Sequence, residues 1–565
     1  MARAPTPPLD DPAGEAAALA ALVSTVERSE EIAALRLRID RAVERWPTRL
    51  RFRLIRADLL DRSGQTDAAD VELATLGDLA PHDAAVDHKR IMRLLGSGRR
   101  AEAVDLFATR VWSNPAREEA AVMRLLNQVT AAHKDMAERV AFLERLPRGG
   151  ARDRFVDVKR ATIALREHDR AGAMALLDRA AKFGPLPPEG RVIRADLLLV
   201  NGRFDEAADL AAALVEEFPD RPDIVRKAIQ TADLTGRSEA VAALLAHAMK
   251  RWPEDWLTLF RYNRAALPFA LDRATYDRLT AIAAEIGEGR WHFQLAIAAL
   301  RHGDLTRASA ILEAIDPAHP VAQMALPLRD ALRSRPVARW NNPRAVSNDP
   351  EHDVQVRRHD DARATCVVFA GVQGGLGYLP FSLADTVFAD YPVNMVYLRD
   401  RTNLGFNNGV AGLGVGEEAM IAGIARILDE LGGMPLVTAG SSLGGLAATR
   451  AGTMASAAAV LSFAAPIHFR PGADDKPRFR AEALGNLIGT GEDLLDRVRA
   501  ASAMRVYHCY GTGHPADVAI AEAIADLGNV VLIPVPCEDH FPLQHMLASG
   551  AFGALMTRML SELAG

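Results

Sequence analysis

A spacing of 34 residues constrains this chain more than any other feature. Ala69 and Ala103 stand 34 apart, as do Ala173 and Ala207, and Ala207 and Val241. Twelve positions after the small residue comes a proline, in six copies: Pro81, Pro115, Pro185, Pro219, Pro253 and Pro320. Five positions before it, in most copies, stands a glycine: Gly64, Gly98, Gly202, Gly236 and Gly303. A fixed period of this length marks units that cannot bury an apolar face alone and must stack on their neighbours. The residue types say what each unit is. Glycine suits the turn between two helices, alanine lets those helices pack closely, and proline stops the second one.

The short turn, small packing residue and terminating proline resemble the tetratricopeptide repeat. The resemblance implies an all-α helical repeat solenoid over 15–335, with degenerate copies filling 119–150 and 255–290. Its curvature creates a concave face suited to a protein or another extended partner. Residues 1–14 are expected to be disordered, and Glu15 to Val26 to form a first helix. Pro336, Asn341-Asn342-Pro343 and Asn348-Asp349-Pro350 mark 336–361 as a linker, with an edge strand at Val354 to Val356.

Past the linker the pattern becomes strand and helix in alternation. Met434 to Ala439 is a short apolar stretch of strand type, and Gly445 to Ala451 is a run of small residues of helix type. Between them Gly440-Ser441-Ser442-Leu443-Gly444 reads as G-x-S-x-G. A serine on a tight strand-to-helix turn is strained and exposed, and its flanks must be glycine or nearly so. Ser441 would put Leu443 at a flanking position, where it is too large, so Ser442 is the candidate nucleophile. Two further strands follow, Met504 to Gly511 and Asn529 to Val535. The first opens into the loop Thr512 to Asp517, with a helix from Val518 to Leu527, and the second into Cys537-Glu538-Asp539-His540-Phe541.

This order of serine, acid and histidine resembles the α/β-hydrolase superfamily over 362–565. The resemblance implies a mostly parallel sheet with helices on both faces. It implies Ser442 as nucleophile, His540 as general base and Asp517 as the acid that orients the base. His545 and His514 stay open as alternative bases, and Asp539, Glu538 and Asp400 as alternative acids. The oxyanion hole would take one backbone N–H from Leu443. The second would come from Val372 or Gln373, in the loop Gly371 to Gly377 after the strand Thr365 to Ala370. The strand Val393 to Asp400 runs into a polar, glycine-rich loop at the same end of the sheet. Arg399, Arg401, Asn407 and Asn408 are therefore candidate substrate contacts, with turn chemistry as the competing reading. Around Leu398-Arg399-Asp400 the pattern loosely resembles hydrolase-fold proteins encoded with bacterial surface-polysaccharide machinery. That likeness implies a small acyl ester or an acylated glycan as substrate. The Arg- and Asp-rich stretch 466–502 is too short for a large lid.

Composition removes other classes. A net charge of −6 with mixed signs gives no broad electrostatic case for nucleic acid. No apolar stretch is long enough to span a membrane, and the start of the chain lacks a signal-peptide core. Cys366, Cys509 and Cys537 are too few for a disulfide framework and make no C-x-x-C, which favours a cytoplasmic setting. No zinc spacing occurs, and the glycines at 371–377 are not a dinucleotide fingerprint, so neither metal nor cofactor is expected. The expectation is a helical repeat array fused to a serine esterase or acyltransferase working through an acyl-serine. The alternative is a protein-interaction scaffold with a vestigial hydrolase domain; a peptidase is a third reading.

Overall fold

The computed structural model describes residues 11–26, 29–81, 83–167, 169–340, 346–402, 404–467 and 491–564. The expected tail therefore falls outside the described residues up to position 10, as does most of the stretch 466–502. Residues 12–14 do not belong to a disordered tail. They open the helix Pro12–Thr25, whose first turn is capped by the Asp11 carboxylate accepting from the N–H groups of Ala13 and Gly14.

The repeat chemistry is realised position by position. Gly64, Gly98, Gly202, Gly236 and Gly303 all have φ between 68° and 77°, the left-handed region where a side chain costs energy. Ala69, Ala103, Ala173, Ala207 and Ala308 are wholly buried, and Val241 is 1% exposed. Successive helices run as pairs, among them Pro188–Val200 with Phe204–Glu217 and Gly289–Arg301 with Leu305–Ala314. The degenerate stretches are helical too, as Glu119–Ala131 with Met136–Arg145 and Trp256–Tyr262 with Phe269–Ile282. Among the described residues no helix is long and apolar enough to cross a membrane.

After the repeats comes a sheet of seven strands: β1 (Val354–Arg357), β2 (Ala364–Phe369), β3 (Val393–Leu398), β4 (Leu436–Ser441), β5 (Ala459–Phe463), β6 (Arg505–Gly511) and β7 (Val530–Val535). Their order is β1-β3-β2-β4-β5-β6-β7. Only β1 pairs antiparallel; the other neighbours are parallel. Every residue of β2 to β5 is buried, as parallel strands covered on both faces are, and most of them are apolar. Pro534 lies in the half-buried β7 at the sheet's edge, where a missing N–H breaks no inner ladder. Helices join the parallel strands, among them Phe381–Phe388, Glu417–Glu430, Leu443–Met454 and Pro515–Ala523. The last of these starts earlier than expected, because Pro515 is preorganised for a first turn, and so Asp517 lies in a helix rather than a loop.

The chain forms two compact units, one of residues 1–163 and 175–185, the other of residues 164–174 and 186–565. In the second unit one continuous apolar core runs from Leu198 to Leu560, crossing the segment expected to be a linker. That segment is not featureless. Besides β1 it holds Trp340, whose indole N–H donates to Leu332 O at 2.7 Å. The repeat helix Ala322–Arg333 packs on Pro542–Ser549, a helix of the sheet half. Ala322, Ala325 and Leu328 are buried on one, and Leu543, Met546 and Leu547 on the other. Each large apolar side chain stripped of such cover loses roughly 1.5–3 kcal/mol. A fragment of residues 350–565 is therefore expected to aggregate or melt well below the intact chain, whereas residues 186–565 remain soluble. Light scattering and thermal melting of the two fragments check this.

Candidate functional site

The site is built at the carboxyl ends of β4, β6 and β7. Strand β4 ends at Ser441, which is 2% exposed, and the next residue makes the turn. Ser442 has φ 52° and ψ −119°, backbone that a residue with a side chain rarely adopts. Its neighbours show why glycine is needed. A Cβ on Gly440 would lie 2.2 Å from Gly444 backbone, and one on Gly444 2.3 Å from Phe369 O. The turn is thus pressed against both the following helix and the end of β2. Ser442 N donates to Phe463 O of β5 at 2.8 Å, which fixes the other side.

Three side chains from three segments meet here. His540 Nε2 lies 3.0 Å from Ser442 Oγ, and His540 Nδ1 lies 2.7 Å from Asp517 Oδ1. Asp517 is 1% exposed. Burial alone would raise its pKa, but hydrogen bonds from His514 and His540 and their charge outweigh this and hold it at about 2. Two of the alternative acids, Asp539 and Asp400, are engaged elsewhere. Asp539 Oδ2 meets His545 Nε2 at 3.0 Å, and its Oδ1 accepts from Phe541 N at 2.8 Å. Asp400 takes the N–H groups of Thr402 and Phe406 and so organises its own loop.

Leu443 is the first residue of its helix, so its N–H has no acceptor within that helix. In the turn after β2, Gly371 N donates to Gly375 O and Gly374 N to Gly371 O. Among the described residues, no backbone carbonyl takes the N–H of Val372 or Gln373. This turn passes close to the serine: a Cβ on Gly371 would lie 3.2 Å from Ser441 O.

The expected substrate contacts fare differently. Arg399 is 6% exposed; its guanidinium donates to Asn348 O at 3.0 Å and lies over the Phe381 ring. Burial, with repulsion from Arg301, pushes its pKa down to about 10. Arg401 pairs with Asp353 at 2.6 Å and donates to Glu351 O. It lines a cleft of about 240 Å³ with Asp233, Leu267 and Glu351, which Ser442, Asp517 and His540 do not line. Asn407 Nδ2 donates to Leu404 O, and Asn408 O accepts from Gly416 N. Arg399 and Arg401 are held by the segment 346–353 and the Asn407 amide by its own loop, whereas the Asn408 side chain is exposed.

His514, an alternative base in the sequence, instead approaches the acid, and His508, given no role there, lies beside it. His514 Nδ1 comes within 3.0 Å of Asp517 Oδ1, the same oxygen that His540 uses. Its place three residues before Asp517 was the available signal. His508 lies wholly buried on β6, with Nδ1 3.1 Å from Ser462 Oγ. Among the described residues, two groups have donor atoms within 4.8 Å of one another: His514, Asp517 and His540, and Cys537, Asp539 and His545. Their hydrogen bonds already account for the approach of each aspartate to its histidines.

No family model matches the chain, and no curated protein matches it. Solved structures similar to parts of it include YrrB, a tetratricopeptide repeat protein with an unusual peptide-binding site. That structure is 17% identical, with 39% of this chain and 96% of that one covered, at a TM-score of 0.19. Another is a carboxylesterase of the thaumarchaeon Nitrososphaera gargenis, 12% identical over 37% of this chain and 94% of that one, TM-score 0.27. A third is TT1662 of Thermus thermophilus, 16% identical over 37% and 93%, TM-score 0.26. Scores this low carry neither fold nor function, which rest on the chain's own geometry.

His508 gives the site a pH signature. Burial pushes its imidazole down to about 4, Asp517 pulling upward and His540 downward. An unfolded histidine titrates near 6.5. Between those values the unfolded chain binds more protons, so stability falls as pH drops from 6.5 to 4. His508→Leu is expected to flatten that part of the curve, read by urea denaturation at a series of pH values.

Proposed function

We propose that the chain is a serine hydrolase of the α/β-hydrolase type, an esterase or acyltransferase, whose helical repeats bind a protein or extended substrate. The observation that carries the reading is the relay Ser442 Oγ, His540 Nε2, His540 Nδ1, Asp517 Oδ1, at 3.0 and 2.7 Å. It stands on a strained elbow at the end of a parallel strand, with its members in the chain order serine, acid, histidine. A vestigial domain has no need to hold this geometry, nor the strain of about 1–3 kcal/mol that such a backbone costs.

The chemistry follows from the atoms. Ser442 Oγ attacks the acyl carbonyl carbon while His540 Nε2 takes the hydroxyl proton. The ionised Asp517 accepts from Nδ1–H, holds the ring's tautomer and stabilises the imidazolium. Negative charge forms on the carbonyl oxygen, and the N–H groups of Leu443 and of Val372 or Gln373 receive it. His540 then protonates the departing alkoxide, leaving an acyl-Ser442. Water or an acceptor hydroxyl then gives its proton to His540 as it attacks the acyl carbon, and His540 passes that proton to Ser442 Oγ as the bond from the acyl carbon to the serine breaks. Both outcomes share the first half-reaction, so the substrate class is an acyl ester, including an acylated glycan. The array's proposed contribution is binding by its helix pairs.

Purified protein is expected to take a fluorophosphonate probe and to hydrolyse short p-nitrophenyl esters. Ser442→Ala should abolish labelling and lower turnover by about 10⁶-fold, while Ser441→Ala keeps most of the labelling. A protein labelled equally well without Ser442 sinks the reading. Asp517→Asn should lower kcat by about 10⁴-fold through the wrong imidazole tautomer. Asp539→Asn should cost far less, and the reverse ranking would move the acid to 539.

A further inference from the structure

We propose that Tyr378 is a positioning residue for His540, and that the last repeats of the array reach the histidine through it. The inference rests on His540 being the base of the proposed reaction. Tyr378 is 6% exposed and touches each structure that must be in register. Its ring lies 4.1 Å from that of Phe541, the residue after His540. On the repeat side it makes an edge contact with Phe293 of the helix Gly289–Arg301, centroids 5.3 Å apart. Its hydroxyl lies 3.7 Å from Met324 Sδ, in the helix Ala322–Arg333. Its own backbone follows the turn that carries Val372 and Gln373.

The backbone is tied in as well. With the Gln544 carboxamide turned to satisfy both its groups, its oxygen accepts from Tyr378 N at 3.0 Å. Its nitrogen donates to Phe541 O, also at 3.0 Å. Gln544 is 1% exposed. Gly377, at φ 62°, leaves no room for a side chain, since a Cβ there would lie 2.6 Å from the Gln544 amide. One tyrosine and one glutamine thus clamp the oxyanion turn to the histidine loop, and two repeat helices hold the tyrosine from behind. Phe541 packs against the His540 ring at 5.8 Å, so a shift of Phe541 moves the imidazole. Misplacing a reacting group by about 1 Å costs on the order of 10²-fold in rate.

The test uses the full chain. Tyr378→Leu removes the ring that buttresses Phe541 and is expected to lower kcat by about 10- to 100-fold with KM little changed. Tyr378→Phe keeps the ring and should stay within about threefold, because a hydroxyl-to-thioether contact is weak. Phe293→Leu lies in the array and touches no reacting atom, yet should lower kcat in the same direction by a smaller factor. Rates are taken per site titrated with fluorophosphonate, so that a misfolded fraction cancels. A second readout needs no turnover: the downfield proton that His540 Nδ1 shares with Asp517, identified by its loss in His540→Ala. It should broaden or shift in Tyr378→Leu and persist in Tyr378→Phe. The proposal is overturned if Tyr378→Leu keeps the wild-type kcat per site, or if that proton is unchanged in it. If wild-type protein neither labels nor turns over, the hydrolase reading fails by itself, and the imidazole proton still decides whether Tyr378 positions the ring.

Discussion

The site depends first on how closely the backbone of Gly440 to Gly445 passes its neighbours. A Cβ at Gly440, Gly444 or Gly445 would sit between 2.2 and 2.6 Å from other atoms. Only glycine lets the end of β4, the start of the helix Leu443–Met454 and the end of β2 share that space. The consequence is directional. Ser442 must turn its backbone to φ 52°, which lifts its side chain off the sheet toward the loop after β7. The same compression brings the first N–H of the helix and the turn at 371–374 to the serine. A larger residue at 440 or 444 would not merely loosen the turn. It would separate Ser442 from the N–H groups proposed as oxyanion donors, because one packing constraint sets both.

That constraint fixes the serine but not the histidine. His540 sits in a loop five residues past Val535, where β7 ends. The repeat helix Ala322–Arg333 packs on the helix that follows this loop, and the Tyr378 ring packs on Phe541 next to the histidine. An array usually described as a separate binding module here supplies part of the wall against which the histidine loop is packed. The continuity of the core from Leu198 to Leu560 is the physical reason. A sheet of this width leaves an apolar face over Leu543 and Met546, and the small residues Ala322 and Ala325 let a repeat helix come close enough to cover it.

Much of this could be read from residue types, and the parts that could not have a common cause. Gly202 and Ala207 announce their turn and packing contact locally, because a left-handed φ and a close helix approach admit few residues. Ser442, Asp517 and His540 were legible because strained turns and strand ends carry strong local signals. The roles of Arg399 and Arg401 were not. Their partners Asn348 and Asp353 are about 50 positions away, and an arginine beside an Asn-Gly loop looks the same whether it faces solvent or its own linker. Tyr378 was invisible for the same reason: its neighbours Phe293, Met324 and Phe541 come from three distant segments. The packing of repeats on sheet was equally hidden, since prolines and asparagines at 336–350 read as a linker whether or not the flanking halves touch.

The electrostatics of the acid explain why one aspartate fits the proposed chemistry and its near neighbour does not. A carboxylate taken out of water pays for its charge unless hydrogen bonds return the loss. Asp517 has two imidazoles against one oxygen, at 2.7 and 3.0 Å, and stays ionised to about pH 2. Beneath it His508 is driven neutral by burial, so it adds no positive charge that would compete with His540 for the carboxylate. In the proposed reaction, the imidazolium formed as His540 takes the serine proton would therefore face a full negative charge at hydrogen-bond distance. Asp539 is also buried, but it is spent on Phe541 N and His545, which lock the loop on which His540 rides. Two aspartate–histidine pairs thus divide the labour over one short stretch of chain: the outer pair sets the shape of the loop, and the inner pair sets the charge that the base can carry.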